Sequence, residues 1–195
     1  MQQNHYSGEF LGHVADLTNR PPTGVAELER RWVAAGMVVD HPVREVDLHE
    51  VCEFLPRWGR LADAETDERR VELLNGLLTE CTAHPRVTDH GGDPWHIHFR
   101  DDDLPMAAVL RVATSIATAR HLTERGMHRM GRCALTECGN VYVDDTRGGR
   151  QRYCSVSCAN RDAVRRHRAK RAAGTQQSAA AGGPAAARDV GSGSG

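Results

Sequence analysis

Four of the six cysteines in this 195-residue chain lie between residues 133 and 158. They form two pairs: Cys133 and Cys138, with four residues between them, and Cys154 and Cys158, with three. A structural zinc ion takes four thiolates in a tetrahedron, and a short chain supplies them as two close pairs on separate turns. The spacing therefore predicts one structural zinc ion, which constrains how the C-terminal part of the chain can fold.

Two other uses of paired cysteines are disfavoured. Disulfides belong to oxidising compartments, and Met1 to Phe10 is polar, without the apolar core of an export signal. A redox-active pair needs two-residue spacing, which neither pair has. Cys52 and Cys81 stand apart from the pairs, and we expect both to be small buried hydrophobic residues.

The residues between the two pairs predict how the zinc module folds. Val141 to Val143 favours a strand, Thr146 to Gly149 is typical of a turn, and Gln151 to Tyr153 can form a returning strand. Cys154 and Cys158 are four residues apart, which places them on one face of a helix that they would open. A turn, a hairpin and ligands at a helix start predict a treble-clef-like zinc finger.

This stretch resembles the CGNR-type zinc finger, which is named for the tetrapeptide at its last cysteine. Here the tetrapeptide begins at Cys158, and Ala159 stands where the family usually has glycine. The resemblance implies a bacterial transcription regulator in which the finger follows an N-terminal domain called ABATE, the expected sensing half of a stress-induced regulator. Segments of the body that are similar to ABATE are Leu17-Thr18-Asn19-Arg20, Leu28 to Gly36, Leu74 to Leu78, and Trp95 to Phe99.

The rest of the chain is expected to be mostly helical. Apolar residues recur at helical spacing in several segments before residue 128. Pro56 predicts a kink or a split in one helix, and Thr66 is the predicted N-cap of the next. The predicted fold class is mainly α with a small β-hairpin: a helical domain over residues 1–128, the four-cysteine zinc finger over 129–171, and a disordered Ala/Gly/Ser tail over 172–195. The predicted helices cover residues 10–19, 24–35, 46–62, the segment after Thr66, and 104–127.

A second feature is the alternating run from Trp95 to Phe99, which is expected to pair with Arg86 to Thr88 as a hairpin. His96 and His98 would share one face, opposite Trp95. Two histidines at this spacing can bind a metal, with His84 or His90 as a third ligand, or they can simply hydrogen-bond within the sheet. A sensing pocket formed by Trp95, His96 and His98 is implied by the family resemblance rather than by the residues themselves.

Charge is distributed unevenly along the chain. Residues 1–128 carry 13 arginines and 21 acidic residues, a balance of −8, whereas residues 129–171 carry 11 basic and 4 acidic residues, a balance of +7. A basic module on an acidic body favours a polyanionic partner for the module. The residues predicted to contact DNA are Arg147, Arg150, Arg152, Arg161, Arg165, Arg166, Arg168, Lys170 and Arg171.

These features predict a cytoplasmic, zinc-dependent DNA-binding transcription regulator whose body senses a small-molecule effector or a partner. Duplex DNA is the expected partner. A homodimer is possible, because two copies would enlarge the small DNA-contacting surface of one zinc finger. No apolar stretch is long enough to span a membrane. An interaction module that docks on an acidic protein is the first alternative. A metal-dependent enzyme using His96 and His98 is the second, but no catalytic motif accompanies them, so the chain is not expected to be an enzyme.

Overall fold

The computed structural model of the chain describes residues 8–89 and 95–181, with side chains up to residue 173. Within these residues the fold is mainly α-helical with two short antiparallel hairpins, which confirms the predicted fold class. None of the described helices is long and apolar enough to cross a bilayer. The helices are α1 Gly8–Asn19, α2 Val25–Ala34, α3 Glu45–Gly59, α4 Asp67–Cys81, α5 Met106–Arg125 and α6 Val156–Ala181.

The body is built around helix α5, which packs against α1, α3 and α4. Trp58 of α3 is fully buried, and its indole Nε1–H donates to Thr118 Oγ1 of α5 at 2.9 Å. Trp32 of α2 is also buried, and its Nε1–H donates to the carbonyl oxygen of Val38. Each tryptophan therefore adds a large apolar area to the core while its polar atom stays satisfied.

The helix boundaries follow the local sequence signals. Thr66 caps α4 as predicted, because its Oγ1 accepts from the backbone N–H of Arg69 at 3.2 Å. Pro56 lies in the last turn of α3, and the chain continues beyond Gly59 as a 3₁₀ turn, Arg60–Asp63. The helix predicted over 46–62, with a kink or a split at Pro56, is therefore an α-helix that continues through Pro56 to Gly59 and is followed by this tighter turn.

Two hairpins interrupt the helical order. In the first, β1 Arg86–Thr88 pairs with β2 His96–His98, in agreement with the sequence. In the second, β3 Met130–Arg132 pairs with β4 Val141–Val143. The prediction that Val141 to Val143 pairs with Gln151 to Tyr153 was therefore wrong.

The second hairpin belongs to the core of the body. Met130, Val141 and Val143 are buried in the same apolar cluster as the helices, and β4 packs along α1. Asn19, the last residue of α1, holds the edge of β4 through two hydrogen bonds to Val141: its Nδ2 donates to the carbonyl at 2.8 Å, and its Oδ1 accepts from the N–H at 2.7 Å. On the other strand, Arg132 forms a two-point ion pair with Asp63 at 2.7 and 2.8 Å.

Helix α6 is longer than expected. It continues to Ala181, whereas the sequence predicted a disordered tail from residue 172. Alanine and glutamine dominate residues 172–181, and both are strong helix formers, so low apolar content does not by itself end a helix that has already started. The remainder of the predicted tail, 182–195, lies outside the described residues.

Candidate metal centre and basic helix

The first cysteine pair lies in the turn that joins β3 to β4. Cys133 follows β3 directly, and its N–H donates to the carbonyl of Asn140 at 2.8 Å, which continues the strand pairing into the turn. The N–H of Cys138 donates to the carbonyl of Leu135 at 2.8 Å. Gly139 follows with a φ of 67°, a left-handed conformation that glycine adopts at little cost. This tight turn directs both sulfurs to one side.

The second pair lies at the start of α6. Cys154 precedes the helix and Cys158 lies in its first turn, where the backbone N–H of Cys158 donates to Ser155 Oγ at 3.2 Å. Ser155 therefore acts as an N-cap. The N–H of Ala134 donates to the carbonyl of Arg152 at 2.7 Å, and this bond joins the two cysteine-bearing segments.

The four sulfurs converge as a metal site requires. All lie within 4.8 Å of one another, and the Cys138–Cys154, Cys154–Cys158 and Cys138–Cys158 Sγ distances are 3.6, 3.7 and 3.7 Å. Zinc–sulfur bonds of about 2.3 Å in a tetrahedron place sulfurs about 3.8 Å apart, whereas a disulfide needs about 2.0 Å. The donor set and spacing fit one zinc ion, as predicted.

The chemistry of the thiols favours metal over free thiolates. Burial raises the pKa of Cys154 to about 12, so this thiol is protonated at neutral pH until a metal displaces its proton. The hydrogen bond with Ser155 lowers the pKa of Cys158. With four protein ligands the zinc has no open position for a substrate, so residues 129–171 form a structural zinc-binding module.

The loop after β4 is held by one buried carboxylate. Asp144 is 1% exposed and accepts from the backbone N–H groups of Thr146 at 2.9 Å and Gln151 at 3.0 Å, and from Thr146 Oγ1 at 2.5 Å. Burial acts to raise the pKa of Asp144, but these hydrogen bonds outweigh it and lower the pKa. Asp144 thus keeps Gln151 in the loop, which explains why the predicted returning strand does not form.

Replacing Asp144 with alanine is expected to cost about 2–3 kcal/mol of unfolding free energy, because buried N–H donors lose a charged acceptor. The lowered pKa means that this contribution is complete above the ordinary carboxyl value of about 3.9 and is lost only as pH falls through the folded value. Urea unfolding should therefore give the same Asp144→Ala deficit at pH 6 and pH 8. Asp145→Ala, which removes only a half-exposed ion pair with Arg125, should cost less than about 1 kcal/mol. Equal losses for the two variants would contradict this role.

The predicted DNA-contacting residues fall into two groups. In the first group the cations are partly engaged within the finger. Arg161 pairs with Glu137 at 3.2 Å, while Arg165 and Arg166 pair with Asp162 at 2.7 and 2.9 Å. Asp162 is 5% exposed and also accepts from Tyr153 Oη–H at 2.7 Å. The Arg161–Glu137 pair attaches the start of α6 to the zinc turn, whereas the two pairs with Asp162 lie within the helix.

The second group is available to a partner. Arg147 and Arg150 in the loop, Arg152 before Cys154, and Arg168 and Lys170 on α6 are all exposed. Among the described residues none of these five forms an ion pair. Arg171 is exposed as well.

Sequence reasoning missed three residues that organise this region. Asn19 lies far from the finger in sequence, so no local pattern could have assigned it to Val141. Asp162 had a usable signal: it is the one acid within a run of arginines and stands three and four residues before Arg165 and Arg166, the spacing of helical ion pairs. Glu137 gave no such signal, because it reaches Arg161 only across the folded zinc turn.

The predicted pocket residues lie on the first hairpin. His98 is buried and His96 is half-buried, and their Nε2 atoms are 2.9 Å apart. Trp95 is 71% exposed, and a sensing pocket formed by these three residues stays a prediction. His84 is exposed and joins no cluster of three or more metal-binding side chains among the described residues, and His90 lies outside those residues.

Residues 129–171 match the CGNR zinc finger family. The matched span contains all four cysteines and the basic part of α6 up to residue 171. No curated protein is similar enough in sequence to be counted as a relative of the chain. The family match and the sulfur geometry agree on a zinc-binding module.

Proposed function

We propose that this chain is a DNA-binding transcription regulator, in which the zinc module presents α6 to duplex DNA and the body senses an effector or a partner. The observation that carries the proposal is that the surface of α6 after Asp162 carries only positive charges. Every described side chain from residue 163 to 173 is exposed, and the charged ones among them are all basic. They are Arg165, Arg166, Arg168, Lys170 and Arg171.

The shape of α6 suits a DNA groove. A helix about 10–12 Å wide fits a major groove about 12 Å wide. Arg161, Arg165 and Arg168 recur at i, i+4 and i+7 and line one face of α6. Arg147 and Arg150 are exposed in the loop that Asp144 holds, so they offer further contacts for phosphates.

The energetics of α6 also favour a polyanionic partner. A helix that is polar on all sides gains little from packing, and most helices in proteins are stabilised by packing of an apolar face. From residue 163 to residue 173, the last side chain of α6 that the structure describes, no apolar face packs against the body. Phosphates along its length would offset the repulsion between its cations, so the helix should gain order when it binds.

The test is binding of the zinc-loaded full-length protein to a random duplex of about 25 base pairs across a salt series, measured by fluorescence anisotropy. For about five to seven phosphate contacts, a plot of log affinity against log salt should have a slope of roughly −4 to −6. Far-UV circular dichroism should show added helix in the complex. Absence of binding at low salt would refute the proposal.

A charge-matched pair of variants locates the contact. Changing Arg168, Lys170 and Arg171 together to glutamine should reduce the magnitude of the salt slope by about 2 to 3. Changing Arg30, Arg60 and Arg69, three exposed arginines of the body, should leave the slope unchanged. Equal effects of the two triple variants would mean that α6 does not read DNA.

One observation favours the interaction-module alternative. A cleft of about 730 Å³ along α6 combines a half-exposed apolar side chain, Val164, with three arginines, which is also what an acidic peptide with an apolar residue would need. Tighter binding to an acidic peptide than to duplex DNA at the same salt would favour this alternative. The residues that line this cleft are Glu137, Ser157, Asn160, Arg161, Val164, Arg165 and Arg168.

A further inference from the structure

His96 and His98 lie on the same face of β2, at i and i+2, and their rings meet. The ring centroids are 4.7 Å apart, the ring planes are inclined by 67°, and the two Nε2 atoms are 2.9 Å apart. His98 is 6% exposed, so its side chain is fixed by its surroundings, while half-buried His96 leaves one side of the pair open to solvent. The Nε2 atoms of His96 and His98 therefore lie close together, on a side of the hairpin where His96 is partly open to solvent.

The backbone holds this arrangement in place. His98 lies opposite Arg86 and His96 opposite Thr88 in the antiparallel pairing of β1 with β2. The base of the hairpin is closed by the N–H of Ala83, which donates to the carbonyl of Phe99 at 2.7 Å. A pair held on a strand loses little conformational entropy when it binds an ion, which favours binding.

The distance between the two nitrogens is compatible with one coordination geometry. With metal–nitrogen bonds of about 2.05 Å, nitrogens at a tetrahedral angle lie about 3.3 Å apart, whereas nitrogens at a right angle lie about 2.9 Å apart. The observed 2.9 Å is the length of the hydrogen bond between the rings, and it equals the right-angle spacing, so an ion with right-angle coordination could bind with little movement of the two rings. Right-angle sites belong to octahedral and square-planar ions, and imidazole ligands in such sites suit nickel and copper in their divalent states.

The charges near the pair do not oppose a cation. Arg86, the residue opposite His98, is the nearest fixed cation in the strand pairing. Its guanidinium lies 3.5 Å from both Asp101 and Asp102. Arg100 lies beside them and donates to the carbonyl of Asp101 at 3.1 Å, so two carboxylates balance two arginines and no net positive charge faces the pair.

We propose that His96 and His98 form a binding site for a divalent transition-metal ion that prefers right-angle coordination, with Ni²⁺ as its test ion and water in the remaining positions. The site is separate from the four cysteines and differs from them in ligand type. In the metal-free protein one Nε2 donates a hydrogen bond to the other. When the ion binds, the proton of that donor shifts to Nδ1 of the same ring, and each Nε2 then gives a lone pair to the ion. The proposal does not depend on whether the chain binds DNA.

The test is equilibrium dialysis of the zinc-loaded, untagged full-length protein against Ni²⁺, with both metals counted by plasma mass spectrometry. One Ni²⁺ per chain should bind while the zinc content stays at one. His96→Gln keeps a side chain that can hydrogen-bond to His98 but removes one imidazole, and it should weaken Ni²⁺ binding at least tenfold. His49→Gln, a change at a histidine whose side chain is 72% exposed, should leave the binding unchanged.

Thermal unfolding provides a second measurement. Saturating Ni²⁺ should raise the Tm of the wild-type protein and leave that of His96→Gln unchanged, because a ligand that binds only the folded state stabilises it. The proposal is overturned if Ni²⁺ replaces zinc one for one, if His96→Gln binds Ni²⁺ as tightly as the wild type, or if the wild type binds none. Because His96 is only half-buried, the glutamine variant should fold and so decide between these results.

Discussion

Removing the zinc ion should unfold the cysteine turn and the start of α6 while leaving the five helices of the body folded. The apolar cluster around the metal consists of the four cysteines with Leu135 and Tyr153, which is too small to be stable alone. Structural zinc contributes an apparent binding free energy of about 10–16 kcal/mol in zinc-finger peptides at neutral pH. Amide hydrogen exchange after chelation should show lost protection at Cys138 and along α6, with protection retained in α3 and α5.

Two cysteine variants distinguish the effect of losing the zinc ion from the effect of changing any cysteine. Cys158→Ser removes a ligand and should reproduce the effect of the chelator. Cys52→Ser changes a half-buried cysteine outside the site, and it should retain one zinc per chain. If chelation leaves the protection of α6 intact, the metal is not what folds this segment.

The Asn19→Ala variant should lose about 2–4 kcal/mol of unfolding free energy, although it removes only one small side chain. Val141 is 1% exposed, and its N–H and carbonyl would both lose the partner that Asn19 provides. Each buried backbone group left without a partner costs about 1–3 kcal/mol. Urea unfolding of the zinc-loaded protein would measure the loss.

Two further substitutions define what the asparagine does. Asn19→Asp keeps an acceptor for the N–H of Val141 but places a charged oxygen against its carbonyl, so this variant should also be unstable. Asn75→Ala removes an exposed asparagine from α4 and should change stability by less than about 0.5 kcal/mol. If Asn19→Ala is as stable as Asn75→Ala, the contact between α1 and β4 is not important for folding.

The sequence predicted the parts of the fold that depend on short-range chemistry. Cysteine spacing located all four zinc ligands, because a metal site imposes its geometry on a few nearby residues. Thr66 was identified as an N-cap, since a cap acts within one helical turn. The histidine hairpin was also predicted, from alternation within a five-residue run.

The partner of β4 could not be predicted, because it depends on distant contacts. Met130 to Arg132 contains a central glycine and has little strand propensity of its own. That glycine leaves room for Tyr142: a Cβ at Gly131 would lie 3.1 Å from the tyrosine hydroxyl oxygen. The pairing is fixed by burial of Met130 and by Asn19, which lies 122 residues before Val141.

The burial of polar side chains could not be predicted from hydrophobic periodicity either. Arg70 is 8% exposed because its guanidinium donates to the carbonyls of Leu61, Ala64 and Met127, which tie α4 to the chain on either side. Hydrophobic patterns assign arginine to the surface, because a pattern of residue types does not show where unsatisfied carbonyls lie.

The shared core of the body and the second hairpin determines how far the finger can be transplanted. A chain that began at residue 129 would contain every zinc-binding cysteine, yet it would expose Met130, Val141 and Val143 to water and leave the edge of β4 open. The segment that matches the zinc finger family, residues 129–171, is therefore shorter than the segment that is needed for this finger to fold. Anyone grafting this finger onto another protein should carry α1 with it, or provide an amide side chain at the same edge of the strand.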